Sequence, residues 1–316
     1  MKKRPLGRTG IEISPLVLGG NVFRWTADKP TSLAILDRFA EAGFETIDTA
    51  DAYSRWAPGN SGGESEQVIG EWMATRRRRD QTIVITKVGS EMGPGKKGLS
   101  AGYIAEAVEA SLRRLRTDHI DVYLSHWPDP AVGYEETLGA YQKLLAAGKV
   151  RHIGASNLDA TRLRSAQGVA AERGLPRYDV LQPEYNLYER SGFEGDLCDL
   201  TIAEGLGVIV YFSLAKGFLT GKYRTPADLG KSARGSGVKG YLNERGLRIL
   251  DALDAVAARH GAKPGEVALA WLAARPGVTA PIASATSVEQ VESLIRSASL
   301  RLSGDDTALL DTASRY

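Results

Sequence analysis

Strand-like and helix-like signals alternate along the whole sequence. Eight short apolar runs, roughly 30–40 residues apart over most of the chain, end near Gly19, Asp48, Lys87, His126, Asn157, Gln182, Ser213 and Ala283. Amphipathic stretches follow most of them, near residues 31–42, 64–75, 100–116, 134–147, 159–172, 196–204, 244–259 and 288–298. Runs such as Thr82-Ile83-Val84-Ile85-Thr86 are almost continuously apolar, as strands buried on both faces must be. Eight such units predict an α/β fold, a closed (β/α)8 TIM barrel, with a doubly wound open sheet as the structural rival. Residues 4–15 predict a hairpin turning at Thr9-Gly10, and residues 303–316 predict a capped extra helix. No linker or repeat divides the chain, so residues 1–316 are expected to form one domain.

Composition narrows the function classes. The net charge is +2, which gives no global field for nucleic acid or a membrane surface. The single cysteine, Cys198, allows no intrachain disulfide. The first residues lack the apolar core of a signal peptide, and no run of about 18 apolar residues occurs. These features predict a cytoplasmic protein. The four histidines are scattered and form no cluster with cysteine, so no catalytic metal is expected. Gly235-Ser236-Gly237-Val238-Lys239-Gly240 matches a dinucleotide pattern, but no strand precedes it, and a flexible loop is expected there.

The carboxyl ends of three successive strands carry the chemistry. Asp48 ends one strand, with Tyr53 in the next loop; Lys87 ends the second and His126 the third. In a parallel barrel these residues gather at one rim. A carbonyl that accepts hydride develops alkoxide charge and needs an acid. Tyrosine, with a free pKa of about 10, can serve if a nearby ammonium lowers that value. Lys87 can supply the ammonium, Asp48 can hold it in the barrel mouth, and His126 can orient the carbonyl oxygen.

With these residues in view, the chain resembles the aldo-keto reductase family over nearly its whole length. Asp48-Thr49-Ala50-Asp51-Ala52-Tyr53 is similar to the family's D-T-A-x-x-Y motif. Ile85-Thr86-Lys87 and Leu124-Ser125-His126-Trp127-Pro128-Asp129 resemble its lysine and histidine motifs. Gly154-Ala155-Ser156-Asn157, Leu181-Gln182-Pro183-Glu184-Tyr185-Asn186 and residues 211–223 resemble its cofactor-contacting segments. The loop style is closer to the bacterial and potassium-channel β-subunit branches than to mammalian aldose reductase.

The resemblance implies roles. Tyr53 would be the general acid/base, tuned by Lys87 and Asp48, with His126 orienting the substrate. Ser156, Asn157 and Gln182 would hold the nicotinamide carboxamide, and Tyr211 would stack on the ring. Ser213, Leu214, Gly217, Leu219, Gly221 and Lys222 would wrap the pyrophosphate. Ser284, Thr286 and Gln290 would face the adenosine 2′-phosphate. That last stretch departs from many relatives, because no lysine or arginine occurs between Arg275 and Arg296. NADPH is the expected cofactor, with NADH or dual use open. Trp25, Trp56 and Trp127, with Phe23 and Tyr241 as further candidates, suit a small apolar or stackable carbonyl substrate. A slow NADP(H)-binding module that docks on a partner protein is the alternative. A Schiff-base lyase at Lys87 is a weaker third reading. Oligomeric state is not encoded.

Overall fold

The computed structural model describes residues 2–316. A hairpin, β1 (Arg4–Pro5) and β2 (Glu12–Ile13), precedes eight parallel strands. These are β3 (Val17–Gly19), β4 (Thr46–Asp48), β5 (Ile83–Val88), β6 (Ile120–Ser125), β7 (Val150–Ser156), β8 (Val180–Gln182), β9 (Gly207–Val210) and β10 (Ala280–Ala283). They pair in chain order, and β10 closes on β3, so the sheet has no edge. The helices are α1 (Lys29–Glu41), α2 (Glu64–Arg76), α3 (Ala101–Leu115), α4 (Tyr134–Ala146) and α5 (Ala160–Arg173), then α6 (Asp196–Ala203), α7 (Glu244–His260), α8 (Pro264–Ala273), α9 (Val288–Ser299) and α10 (Gly304–Ala313). Side chains mark several helix starts. Asp28, Ser100, Asp159, Asn243, Ser287 and Ser303 each accept from a first-turn amide of the helix they open.

Two apolar cores result. One fills the bore, where Val17, Ile85, Val122, Leu124, Val180, Ile209 and Ile282 meet. Leu6 and Ile13 of the hairpin region close its lower end and are fully buried. Gly7 permits this approach. Its φ is +56°, and a Cβ there would lie 2.2 Å from the Gly207 amide nitrogen. The other core lies between strands and helices and holds residues such as Val84, Val88 and Tyr123. Neighbouring residues of β5 thus alternate between bore and shell, as the period of two requires.

The structure departs from the sequence expectation in three places. β9 ends at Val210, three residues short of Ser213, because Phe212 turns the chain at φ +50°. Residues 215–243 contain short 3-10 helices at Ala215–Thr220, Pro226–Lys231 and Gly235–Tyr241. The last carries the glycine pattern with no strand before it. Helix α8 was not foreseen. Val267 to Leu272 are all buried, so the segment is apolar all round and shows no amphipathic period. Among the described residues, no helix is long and apolar enough to cross a membrane.

The hairpin plug makes a prediction. Leu6→Ala should cost about 2–5 kcal/mol of stability in urea unfolding, as large-to-small core changes do, while cofactor affinity stays unchanged. A loss of cofactor binding in the folded variant would show that the plug reaches the opposite rim.

Candidate active site

Strand parity carries four polar side chains to the upper end of the bore. Ile85 faces the bore, so Lys87, two residues on, does too. The same step leads from Leu124 to His126 and from Val180 to Gln182. Ile47 belongs to the outer core, which turns Asp48 inward.

Three of them, Asp48, Lys87 and Gln182, meet in hydrogen bonds. Lys87 Nζ donates to Asp48 Oδ1 and Oδ2 at 2.9 and 2.8 Å and to the Thr49 carbonyl at 2.7 Å. It lies 3.3 Å from Tyr53 Oη. Gln182 Nε2 donates to Asp48 Oδ1 at 2.8 Å. Lys87 is fully buried and Asp48 nearly so. Burial alone would pull the Lys87 ammonium down, but the Asp48 carboxylate and the Tyr53 oxygen together outweigh it and hold the pKa above its ordinary 10.5. Tyr53 sits in a clamped loop. Its carbonyl accepts from the Gly63 and Ser65 amides at the start of α2, and Ser54 Oγ donates to the Phe23 carbonyl.

The Tyr53 phenol does not follow the expected tuning. Burial pushes its pKa above 10.0; Lys87 pulls it back, and Asp48 opposes Lys87. The net direction is upward, so the phenol is protonated at neutral pH. His126 moves the other way. Burial, then the Lys87 charge, hold it well below 6.5, and the ring is neutral.

The residues expected around a nicotinamide form one connected set. Ser156 Oγ donates to the Gln182 carbonyl at 2.8 Å. Asn157, at φ +62°, donates through Nδ2 to the His126 carbonyl at 2.8 Å, and Tyr211 Oη donates to its Oδ1 at 2.7 Å. Beyond Tyr211, residues 215–217 all have positive φ (45°, 57° and 97°), and the Ala215 and Gly217 amides close the turn on the Phe212 and Leu214 carbonyls at 2.6 and 2.8 Å. Two expected contacts in this loop are not side-chain contacts. Leu219 is fully buried and its amide donates to the Leu214 carbonyl at 3.2 Å, while Ser213 Oγ donates to the Val210 carbonyl, so neither side chain is free to meet a phosphate. Leu214, Gly217 and Gly221 are partly exposed, and Lys222 is exposed beside Gly217.

On the adenosine side the expected residues divide. Thr286 and Gln290 bind each other, with Gln290 Oε1 accepting from the Thr286 amide at 2.9 Å. Ser284 turns away and donates to Asn21 Oδ1 at 2.7 Å. Arg234, from the long segment after β9, donates to the same oxygen at 3.3 Å and has no carboxylate partner among the described residues. A basic group thus reaches the partner of Ser284, although its guanidinium lies over the Trp25 ring, 5.1 Å from the centroid, beside the aromatic wall. Lys263 adds a second, 3.3 Å from Glu289. Reading along the chain missed both, because each comes from a different loop.

Trp25, Trp56, Tyr53, His126 and Trp127 make a continuous aromatic wall. Ring centroids are 5.7, 5.6, 5.9 and 5.8 Å apart in that order. Trp56 and Trp127 are each about half exposed (49% and 51%) and rim the mouth. Phe23 and Tyr241 do not join it. Phe23 is fully buried, and Tyr241 packs on Tyr188 and Phe218.

The Aldo/keto reductase family model matches residues 15–315. The chain belongs to the aldo/keto reductase family. It is 33% identical to the uncharacterized oxidoreductase YrpG of Bacillus subtilis, covering 97% of this chain and 94% of that protein. It is 31% identical to the protein tas of Escherichia coli, with 98% and 97% covered. A probable voltage-gated potassium channel subunit beta of Oryza sativa is 32% identical, with 92% and 89% covered. The chain is therefore an oxidoreductase by family.

The buried ion pair makes a prediction of its own. Asp48→Asn leaves the Lys87 ammonium buried without its counter-charge and should cost about 3–5 kcal/mol in urea unfolding. Asp48→Asn combined with Lys87→Met should recover much of that loss. Equal stability of the single variant and the parent would show that the pair is not ionised.

Proposed function

We propose that this aldo/keto reductase reduces an aldehyde or ketone reversibly to an alcohol, with NADPH as hydride donor and Tyr53 as proton donor. The observation that carries the reading is the placement of a protonated phenol 3.3 Å from the Lys87 ammonium at the barrel mouth. Next to it stands a neutral histidine, with an open aromatic wall around both.

The residues fit a nicotinamide cofactor. Ser156, Asn157 and Gln182 offer amide and hydroxyl groups at the rim, and the exposed Lys222 ammonium beside Gly217 suits a phosphate. Lys263, beside α9, supplies a cationic group that a 2′-phosphate favours, and Arg234, over the Trp25 ring, supplies one nearer the mouth. A reduced nicotinamide held by these residues would supply hydride to the carbonyl carbon. His126 donates a hydrogen bond to the carbonyl oxygen and fixes its position. Tyr53 gives its proton to the oxygen as alkoxide charge builds. Lys87, neutralised in the resting site by Asp48, then stabilises the phenolate left behind. The aromatic wall favours an apolar or stackable substrate.

Tyr53→Phe should lower turnover by about 10²–10⁴-fold, the usual contribution of a general acid, while NADPH still binds. Because Tyr53 is shifted up and His126 down, the reductive kcat/KM should be flat between about pH 6 and 9. A fall toward pH 6 would mean that His126 charges in that range. Fluorescence titration should show tighter binding of NADPH than of NADH. Equal binding would remove Lys263 from the 2′-phosphate. The alternative, a slow cofactor-binding module that docks on a partner, draws on the relative named as a potassium channel subunit beta. Rapid multiple turnover of a simple aldehyde decides against it.

A further inference from the structure

The histidine proposed to orient the carbonyl is useful only in one tautomer. A neutral imidazole carries one N–H, and its other nitrogen is an acceptor. With the proton on Nε2, the ring donates to a carbonyl oxygen. With the proton on Nδ1, a lone pair on Nε2 faces that oxygen and repels it.

Ser90, two residues beyond β5, meets this requirement. Its Oγ lies 2.9 Å from His126 Nδ1. Among the described residues, neither the Ser90 hydroxyl nor the His126 ring has another hydrogen-bond partner. The rest of the histidine is already fixed. Its amide donates to the Val88 carbonyl at 2.8 Å, and its carbonyl accepts from Asn157. Trp127 stacks on the ring at 5.8 Å with planes 12° apart. What remains open is which nitrogen holds the proton. Gly89 sets Ser90 in place with φ +117°, a left-handed conformation that a side chain would strain, and its carbonyl accepts from the Gly98 amide at 3.0 Å.

We propose that Ser90 is a positioning residue whose hydroxyl donates to His126 Nδ1, holding the ring as the Nε2–H tautomer that polarises the substrate carbonyl. The proposal rests on the carbonyl-reductase reading above. The serine touches no substrate atom and acts through the histidine, as outer partners do for metal-bound histidines.

The test uses the full-length protein labelled with [15N]histidine, with His126→Gln to assign the resonance, and the variants Ser90→Ala and Ser90→Thr. Long-range 1H–15N spectra of the parent should show a protonated Nε2 and a bare Nδ1 at His126. Ser90→Ala should give a mixture of tautomers. With 4-nitrobenzaldehyde and NADPH, its kcat should fall about 10–100-fold, less than the loss from deleting an oxyanion donor outright, with the NADPH Kd unchanged. Ser90→Thr keeps the hydroxyl and should restore both the spectrum and most of the rate. A parent ring protonated on Nδ1 overturns the proposal, as does an alanine variant with parental tautomer and kcat. If the parent reduces no aldehyde, the carbonyl-reductase reading fails, while the spectra still decide the role of Ser90.

Discussion

A lysine and an aspartate share the dry end of a barrel, and the site is arranged around the need to keep both charged. Either charge alone would be too costly there. The two oxygens of Asp48, the Thr49 carbonyl and the Gln182 amide complete the polar contacts of the pair. In the closed strand order, β8 lies four strands from β4, so the Gln182–Asp48 bond spans the bore. Lys87 and Asp48 join two neighbouring strands, and Gln182 ties in the opposite wall. One layer of polar side chains thus caps a bore filled below by aliphatic ones. The Tyr53 hydroxyl touches that layer from above, and its chemistry depends on the ammonium remaining there.

The opposite shifts of Tyr53 and His126 come from the same burial. Desolvation favours the neutral form of each group, which keeps the proton on the phenol and off the imidazole. Lys87 adds to the effect on the histidine and opposes it on the tyrosine. The result is one proton donor and one uncharged ring side by side, a suitable pair for an oxygen that gains negative charge. The expectation that Lys87 would bring the free phenol down toward neutrality overlooked desolvation as the larger influence.

Much of this was legible in the sequence, because barrels convert chain order into position. The eight apolar runs gave the strands, and the period of two sent Asp48, Lys87 and His126 to one rim. Ser156, Asn157, Gln182 and Tyr211 follow in the next units and join the same hydrogen-bonded set. Less legible were features that depend on loops or on uniform burial. Helix α8 is apolar on every side and shows no period. Arg234, Asn21 and Ser284 meet across more than 200 residues of chain. Ser90 stands in a loop whose course depends on the backbone of Gly89 and Gly98. Phe23 and Trp25 are two residues apart, yet one is core and the other lines the mouth, because a tight turn at Arg24 (φ +61°) separates them.

The most direct test follows the hydride itself. NADPH carrying deuterium on one face of nicotinamide C4 is mixed with the protein and excess 4-nitrobenzaldehyde, and the alcohol is analysed by mass spectrometry and NMR. The account predicts many turnovers and one deuterium on the carbinol carbon from one cofactor face only, since Ser156, Asn157 and Gln182 would fix the ring. No alcohol, or alcohol that stays unlabelled with the deuterium on either face of C4, would contradict direct hydride transfer at this site.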